Sequence, residues 1–386
     1  MTDGFLTILN MSLTADYVIL FILLIRLPLK KAPKVISYAL WSVAAFRLIC
    51  PFSFKSILSL IPMNTSPIPQ NIMYQQTPQI NSGNTAVDNF VNRFLLPPVA
   101  TQSANPLQTC TQIGAYIWLL GIAGMLIYSV VSVLILKSSL KRARLLEGNL
   151  YEADNLKTPF VLGVFRPRIF IPAGLSEEEK NYIIRHEQTH IHRLDHIIKP
   201  FAFLVLSIHW FNPLVWIAFV LMSTDMELSC DERVLKEMGV NIKKAYSASL
   251  LSLATEKRII NGCPVAFSEG NVRGRIKNVL NYKRPAFWAM TAAVIAVICV
   301  GIGLIANPKE IAVNKNNSLD AIYCQLGKSS ADPNVYTITA VPSRINVYTL
   351  TAVPNRKNVY TITDVPNQIN VCTITAVPNR KSDIQK

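Results

Sequence analysis

Four of the chain's five histidines lie within twelve residues, in the segment RHEQTHIHRLDH at positions 185–196. Within this segment His186, Glu187 and His190 form an HExxH motif. Residues i and i+4 lie on one face of a helix, so both imidazoles can bind a single metal ion. In such sites the glutamate takes a proton from water and returns it to the leaving amine. The spacing predicts one catalytic zinc ion, which lowers the pKa of its water to about 7.

The residues before the motif predict a helix that carries all of it. Ser176 and Glu179 have the spacing of a capping box, which marks a helix start. Two further histidines are poorly placed for the same ion. His192 points to another side of the helix, and His196 lies roughly 15 Å along the axis from His186. We expect both to be surface or supporting groups.

A catalytic zinc ion needs a third protein ligand, and a downstream segment, STDMELSCDERVLKEMG, offers one. It is predicted to form a second helix, on which Glu227 and Asp231 are i and i+4 and share a face. We interpret Glu227 as the third ligand and Asp231 as the acceptor of a hydrogen bond from a ligand histidine. The alternative is a solvated helix face with acidic residues.

The composition is typical of a membrane protein. Hydrophobic residues make up 51% of the chain and charged residues only 16%, against about 25% charged residues in an average soluble protein. A net charge of +15 would suit nucleic-acid binding, but the basic residues lie beside apolar runs, where they act as topology signals. We therefore expect membrane lipid as a partner and no direct binding of nucleic acid.

Four apolar runs are predicted to span the membrane: Phe5–Ile25, Val35–Cys50, Gly114–Leu136 and Ala286–Ala306. A helix of about 20 residues crosses the hydrocarbon core, and the second run reaches that length only with its flanking residues. Basic residues follow the first and third runs and precede the fourth, whereas the loop 52–113 has only two. The positive-inside rule then places residues 137–285 in the cytoplasm, and the N-terminus, this loop and the tail 307–386 outside.

Two charged residues, Asp16 and Arg47, fall inside the first two predicted spans. An isolated charge in a membrane is costly, and their depths differ by only about 4–5 Å. We therefore predict that they pair across the two helices. The alternative is that Arg47 extends to the outer surface while Asp16 faces water.

A further apolar segment, Ile197–Met222, separates the histidines from Glu227. If it crossed the membrane once, it would place the ligands on opposite sides, about 30 Å apart. Asn212 and Pro213 lie in its middle, and proline interrupts a helix. We predict an apolar hairpin of two half-length helices at 197–222 that returns the chain to the same side.

Four motifs, in this order, resemble the BlaR/MecR-type antirepressor membrane metallopeptidases: PFVLGVFRPRIFIP (159–172), HEQTHIHRLDH (186–196), HWFNPLVW (209–216) and ELSCDERVL (227–235). The resemblance implies a gluzincin-like zinc peptidase. In it, His186, His190 and Glu227 bind zinc and Glu187 is the general acid and base. It also implies a protein substrate, namely a cytoplasmic transcriptional repressor or the peptidase itself.

The predicted fold is that of a mainly α, multi-pass cell-membrane protein. Residues 1–136 hold three transmembrane helices, 137–285 a cytoplasmic α+β peptidase domain and 286–306 the fourth helix. The resembled family has an outside penicillin-binding sensor domain, which we expect this chain to lack. Its tail, 307–386, instead carries four twelve-residue repeats at 334–381, whose pattern predicts short strands and turns.

Three functions remain open from the sequence. The first is a signal-transducing antirepressor peptidase, the second a quality-control protease for membrane proteins, and the third a non-enzymatic membrane receptor or scaffold with a structural metal site. Glu187 argues against the third, because a structural metal site needs no general base.

Overall fold

Helices account for most of the described chain, as the long apolar runs predicted. The structure, a computed structural model, describes residues 1–51, 106–255 except 155 and 157, and 272–308. It also describes short pieces between 55 and 93 and five strands between 324 and 376. The chain divides into two units, Met1–Lys309 and Glu310–Lys386. Most of the predicted loop before residue 106, and the turns of the repeats, lie outside the described residues.

The described part of the first unit contains ten α-helices. They are α1 (Thr2–Ile25), α2 (Lys34–Ile49), α3 (Thr85–Asn92), α4 (Pro106–Ser139), α5 (Glu177–His192), α6 (Asp195–Ile208), α7 (Pro213–Met238), α8 (Lys243–Thr255), α9 (Val272–Asn281) and α10 (Phe287–Ile305). By length and composition, α1, α4 and α7 could each cross a membrane, and α10 contains a shorter apolar stretch. The helix at the second predicted span, α2, has 16 residues.

Two small sheets complete the first unit. In one, β1 (Lys55–Ser56) pairs with β6 (Asn307–Pro308) in parallel. The other follows α4 and contains β2 (Arg144–Glu147), β3 (Leu150–Ala153), β4 (Phe160–Leu162) and β5 (Arg168–Pro172) in the order β2-β3-β5-β4. The short strand β4 therefore forms one edge of this sheet.

The turn from β4 to β5 is tight and depends on a glycine. Gly163 has φ +112°, and a Cβ there would collide with the carbonyl oxygen of Arg166. Only glycine adopts this backbone conformation without strain. The turn holds β4 against β5 in antiparallel pairing, with Phe160 opposite Phe170.

The second unit contains a five-stranded sheet. Its strands are β7 (Cys324–Lys328), β8 (Tyr336–Ala340), β9 (Tyr348–Val353), β10 (Val359–Asp364) and β11 (Thr373–Ala376), in the order β10-β9-β11-β8-β7. Each of the four sequence repeats contributes one strand, from β8 to β11. The alternation of β-branched residues within each repeat therefore does produce a short strand.

The apolar segment predicted as a hairpin at 197–222 consists of α6, a turn at 209–212 and α7. The amide side chain of Asn212 caps α7 by accepting a hydrogen bond from the backbone N–H of Leu214 at 2.8 Å. Pro213 occupies the first position of the helix, where its missing N–H costs nothing. Since α7 runs back alongside α6, it carries Glu227 to the same end of the hairpin as α5.

The tip of this hairpin contacts the first two helices. His209 Nε2 lies 3.1 Å from the carbonyl oxygen of Leu48 on α2, and Asn212 Nδ2 donates to Ser12 Oγ on α1 at 2.7 Å. Below the tip, buried apolar side chains of α1, α2, α6, α7 and α10 form one core. The hairpin is thus packed among the apolar helices over its length.

The predicted ion pair between Asp16 and Arg47 is wrong, because each residue has other partners. Arg47 donates to the C-terminal end of α10, at the carbonyl oxygens of Leu304 (2.9 Å) and Ala306 (3.0 Å). Asp16 accepts a hydrogen bond from Asn212 Nδ2 at 2.6 Å. Helix ends offer unsatisfied carbonyl groups, and the hairpin inserts an amide beside Asp16. The prediction compared only the depths of Asp16 and Arg47 in the first two helices, which gives no information about partners on α10 or the hairpin.

Helix α4 packs on the hairpin through two tryptophans. Trp210 Nε1 donates to the carbonyl oxygen of Trp118 at 3.2 Å, and Trp118 Nε1 donates to that of Ile208 at 2.8 Å. Gly121 lies against the Trp210 ring so closely that a Cβ would overlap it. The ring is hydrogen-bonded in place and cannot move aside freely.

We expect Gly121→Ala to lower the free energy of unfolding by about 1–3 kcal/mol, because it overpacks this contact. Thermal unfolding of the purified protein in detergent measures the effect. Gly124→Ala, on the same helix, meets no atom within 4 Å and serves as the control. Equal destabilisation by the two substitutions would show that the Trp210 contact is not tight.

Candidate metal centre

Helix α5 carries the HExxH motif and begins as the sequence predicts. Ser176 Oγ accepts from the backbone N–H of Glu179 at 3.3 Å, and Glu179 Oε2 accepts from the backbone N–H of Ser176 at 3.1 Å. This capping box fixes the start of the helix. The side chains of His186, Glu187 and His190 are then buried together on one side of it.

The structure brings together the three predicted metal ligands. His186 Nε2 lies 3.2 Å from His190 Nε2 and 3.4 Å from Glu227 Oε2, and His190 Nε2 lies 3.8 Å from Glu227 Oε2. Ligands of a tetrahedral zinc ion with bonds of about 2.0–2.1 Å are separated by about 3.4 Å. The donor atoms therefore have the types and the spacing that a zinc ion requires.

The far side of His186 is held by two polar groups. Its Nδ1 lies 3.2 Å from Asp231 Oδ1 and 3.0 Å from the Tyr246 hydroxyl. Tyr246 also donates to Asp231 Oδ1 at 2.7 Å. Asp231 thus lies where the sequence placed it, whereas Tyr246 comes from α8 and has no local sequence signal. Both partners turn the Nε2 of His186 toward the other ligands.

His190 is held by Asp195, a residue that the sequence reasoning missed. Its Nδ1 lies 2.9 Å from Asp195 Oδ2, and the other carboxylate oxygen accepts from the Tyr38 hydroxyl of α2 at 3.0 Å. Asp195 is five residues after His190, which on a continuous helix would point it elsewhere. The chain breaks at Leu194, whose φ of 60° is left-handed, and this break turns Asp195 back to the histidine.

Arg275 of α9, like Tyr246, belongs to no recognisable sequence pattern. It donates to both oxygens of Asp231, from Nε at 2.9 Å and from Nη2 at 2.7 Å. Its Nη1 lies 3.4 Å from Glu227 Oε2. A bidentate pair of this kind fixes both partners, so α9 helps to orient the carboxylates of α7.

The remaining two histidines of the motif region do not join the ligands. His192 is exposed and its Nδ1 lies 2.7 Å from the carbonyl oxygen of Gln188. His196, on α6, lines the cavity described below. This agrees with the interpretation of both as surface or supporting groups.

The electrostatics of the site favour a bound cation and a basic Glu187. Burial raises the pKa of the Glu187 carboxyl, which makes its carboxylate a stronger base. Burial and the Arg275 guanidinium, whose Nη2 lies 3.3 Å from His186 Nε2, lower the pKa of His186, but hydrogen bonds to Asp231 and Glu227 outweigh both and leave that pKa above its usual value. Surroundings that favour an extra positive charge on the imidazole also favour a metal ion.

Among the described residues, a second group could also hold a metal ion: His190, Asp195 and Cys230. Cys230 Sγ lies 3.5 Å from His190 Nδ1 and 3.6 Å from Asp195 Oδ2. All three side chains are buried, and Asp195 already accepts hydrogen bonds from His190 and Tyr38. The first group is the better candidate for a catalytic centre, because all three of its residues line the cavity described below, whereas Cys230 of the second group does not.

A cavity of about 1260 Å³ adjoins the site, and His186, Glu187, His190 and Glu227 line it. Its walls come from the edge strand β4, the turn that follows it, α6, α8 and the C-terminal end of α4. The volume is ample for several residues of a peptide. The candidate metal ligands and Glu187 are therefore accessible from this cavity.

Comparison with known proteins finds several bacterial relatives. Regulatory protein BlaR1 of Bacillus licheniformis is 30% identical over 152 residues, which cover 37% of this chain and 25% of the relative. The methicillin resistance mecR1 proteins of Staphylococcus aureus and Staphylococcus epidermidis are each 27% identical over 161 residues, 40% of this chain and 28% of theirs. The matched part spans about a quarter of these relatives.

The family model of the BlaR1 peptidase M56 matches residues 6–279. This range contains the HExxH helix, Glu227 with its neighbours on α7, and Arg275. The match covers well over half of the chain and includes most of α1, all of α2, α4, α6 and α7, and the candidate metal centre. The chain therefore belongs to the BlaR1 peptidase M56 family.

Proposed function

We propose that this protein is a membrane-embedded zinc metalloendopeptidase that transmits a signal by cleaving a cytoplasmic protein. One observation carries the proposal: two imidazoles and a carboxylate converge at zinc-ligand distances, beside a buried glutamate and at the wall of a large cavity. A structural metal site needs neither the glutamate nor the cavity.

His186, His190 and Glu227 would hold the zinc ion at the wall of the cavity. When bound, zinc polarises the scissile carbonyl and makes water more acidic. Asp231 and Tyr246 fix the orientation of His186, and Asp195 fixes that of His190. Glu187 takes the proton from the attacking water and delivers it to the nitrogen of the leaving amine.

The edge strand β4 provides a binding surface for the substrate backbone. Within the described sheet its outer edge has no neighbouring strand, and Phe160, Val161 and Leu162 line the cavity. An extended peptide can pair with such an edge through main-chain hydrogen bonds. A peptide bound in this way would lie along the cavity beside the candidate metal ligands.

For the membrane arrangement we propose four spans, α1, α2, α4 and α10, with the metal centre at the cytoplasmic end. The hairpin of α6 and α7 enters from that end and returns to it. Its tip contacts the middle of α1 and the far end of α2 through Asn212 and His209. Basic residues at the near ends, Arg26 and Lys34 among them, support a cytoplasmic location for this end.

A signalling role is supported by the relatives, one of which is named a regulatory protein. The proposed substrate is a cytoplasmic transcriptional repressor, or the peptidase itself. The test uses the full chain in vesicles, loaded with zinc and mixed with a purified winged-helix transcriptional repressor. Cleavage that a chelator stops and zinc restores supports the proposal. A repressor left intact, with no cleavage of the chain itself, contradicts it.

We expect Tyr38→Phe to weaken zinc binding about tenfold, because loss of an outer hydrogen-bond partner of a ligand costs ten- to hundredfold. The substitution removes the hydroxyl that holds Asp195 toward His190. Competition with a chromophoric chelator measures the zinc affinity. Tyr17→Phe, with an exposed ring on α1, is the control. Unchanged affinity in the Tyr38 variant would show that α2 does not position the ligand.

A further inference from the structure

The mouth of the active-site cavity is basic on two sides. Lys137 and Lys141 lie at the C-terminal end of α4, and Arg166 and Arg168 lie in and after the turn that follows β4. All four side chains are exposed, and none is paired with an acidic side chain of the described chain. Together they form what we term the basic mouth.

The acidic residues that line the described cavity are buried or half-buried, and two of the three already have hydrogen-bond or ion-pair partners. Glu187 and Asp195 are buried, and Asp195 is bonded to His190 and Tyr38. Glu227 contacts His186 and Arg275. The charge offered to an arriving peptide is therefore positive at the entrance, and the negative charge is confined to the metal centre.

The same entrance also has apolar walls. Val133 and Leu134 of α4 and Phe160 of β4 line it, and Phe165 at the tip of the turn is 96% exposed. Apolar walls favour apolar side chains in the part of a peptide that lies between them. The exposed basic groups favour acidic residues in the flanks of that part.

We infer that the cavity selects peptide segments in which an apolar centre is flanked by aspartate or glutamate. The inference rests on the proposed peptidase function and names the substrate class of that site. Anionic lipid is a less suitable occupant, because the four basic groups line the same cavity as the candidate metal ligands. A peptide that passes between α4 and the β4–β5 turn meets both pairs at once.

Binding to the full-length, zinc-loaded Glu187→Gln variant tests the inference without depending on turnover. The probes are three fluorescent peptides with one apolar centre, flanked by aspartate, asparagine or lysine. In neutral phosphatidylcholine nanodiscs, we expect the aspartate peptide to bind about three- to tenfold more tightly than the asparagine peptide, and the lysine peptide more weakly. At about 1 M salt, where charges are screened beyond about 3 Å, the difference should largely vanish.

Charge reversal in the basic mouth provides the decisive comparison. Arg166→Glu should remove the preference for the aspartate peptide, and Arg166→Gln should reduce it. Arg144→Glu reverses an equally exposed arginine on β2, at the opposite edge of the sheet and outside the cavity lining, and should keep it. Thermal unfolding of each variant shows that the fold is retained.

The outcomes distinguish a failure of the proposed substrate preference from a failure of the proposed peptidase function. Equal binding of all three peptides, or a preference unaffected by Arg166→Glu, overturns the inference, even if the wild-type protein cleaves its substrate. If Arg166→Glu weakens binding to anionic lipid vesicles but leaves peptide binding unchanged, the inference is also overturned and a lipid contact is identified instead. Charge-dependent peptide binding without zinc-dependent cleavage by the wild type would contradict the peptidase function alone.

Discussion

Replacing Glu187 with glutamine is expected to reduce cleavage by about 10²–10⁴-fold, the contribution of a positioned general base, while one zinc ion stays bound. Glutamine has nearly the same shape but cannot take a proton from water. The metal ligands are untouched, because the carboxylate of Glu187 is not among them. Cleavage rate and zinc content are measured on the same preparation, the first to show the loss of activity and the second to show that the metal is retained.

Glu178→Gln is the matched control for this variant. Glu178 lies in the first turn of the same helix and is exposed, so its substitution should leave rate and zinc content unchanged. A Glu187→Gln protein that cleaves at the wild-type rate would remove the general base from the mechanism. One that loses zinc would make Glu187 part of the metal site itself.

The second large effect is expected for Glu227→Gln. A neutral amide is a poor zinc ligand, and the substitution removes one of three protein donors, so zinc affinity should fall by more than the hundredfold that loss of an outer partner costs. Cleavage should be lost with the metal. The neighbouring Arg275 also loses a carboxylate partner, which lies 3.4 Å from its Nη1.

Metal analysis after gel filtration measures this effect, and Glu237→Gln is the control. Glu237 lies on the same helix but pairs with Arg233 and Arg185 at the surface, where ion pairs contribute little. We expect that variant to bind zinc as the wild type does. Wild-type zinc affinity in Glu227→Gln would exclude this residue as the third ligand.

The parts of the site that could be predicted are those set by spacing along a single helix. The pair His186 and His190, and the pair Glu227 and Asp231, share a face because each is i and i+4. The hairpin between them was predictable because Pro213 interrupts an otherwise continuous apolar segment. These inferences need only local geometry and the requirement that the ligands meet.

The parts that could not be predicted depend on tertiary contacts. Asp195 reaches His190 only because Leu194 adopts a left-handed conformation, which helix periodicity does not anticipate. Tyr246 and Arg275 arrive from later helices and carry no motif. The partners of Arg47 were missed for the same reason, since they belong to the end of α10 and lie more than 250 residues away in the chain.

The first two helices contact two residues near the candidate metal ligands, Asp225 and Asp195. Arg26 Nη2 and Trp41 Nε1 donate to the two oxygens of Asp225 at 2.7 and 2.9 Å, two residues before Glu227. Tyr38 donates to Asp195, which holds His190. The metal centre is therefore built jointly by the peptidase helices and the N-terminal helical pair, and a displacement of α1 and α2 would alter it.

Zinc X-ray absorption of the full-length protein tests the central claim most directly. If His186, His190 and Glu227 are the ligands, the spectrum shows nitrogen and oxygen neighbours at about 2.0–2.1 Å with the scattering of two imidazoles, and no sulfur. The same spectrum should be obtained for Cys230→Ser. A sulfur neighbour at about 2.3 Å that disappears in Cys230→Ser would place the metal at His190, Asp195 and Cys230 instead, and would contradict the account.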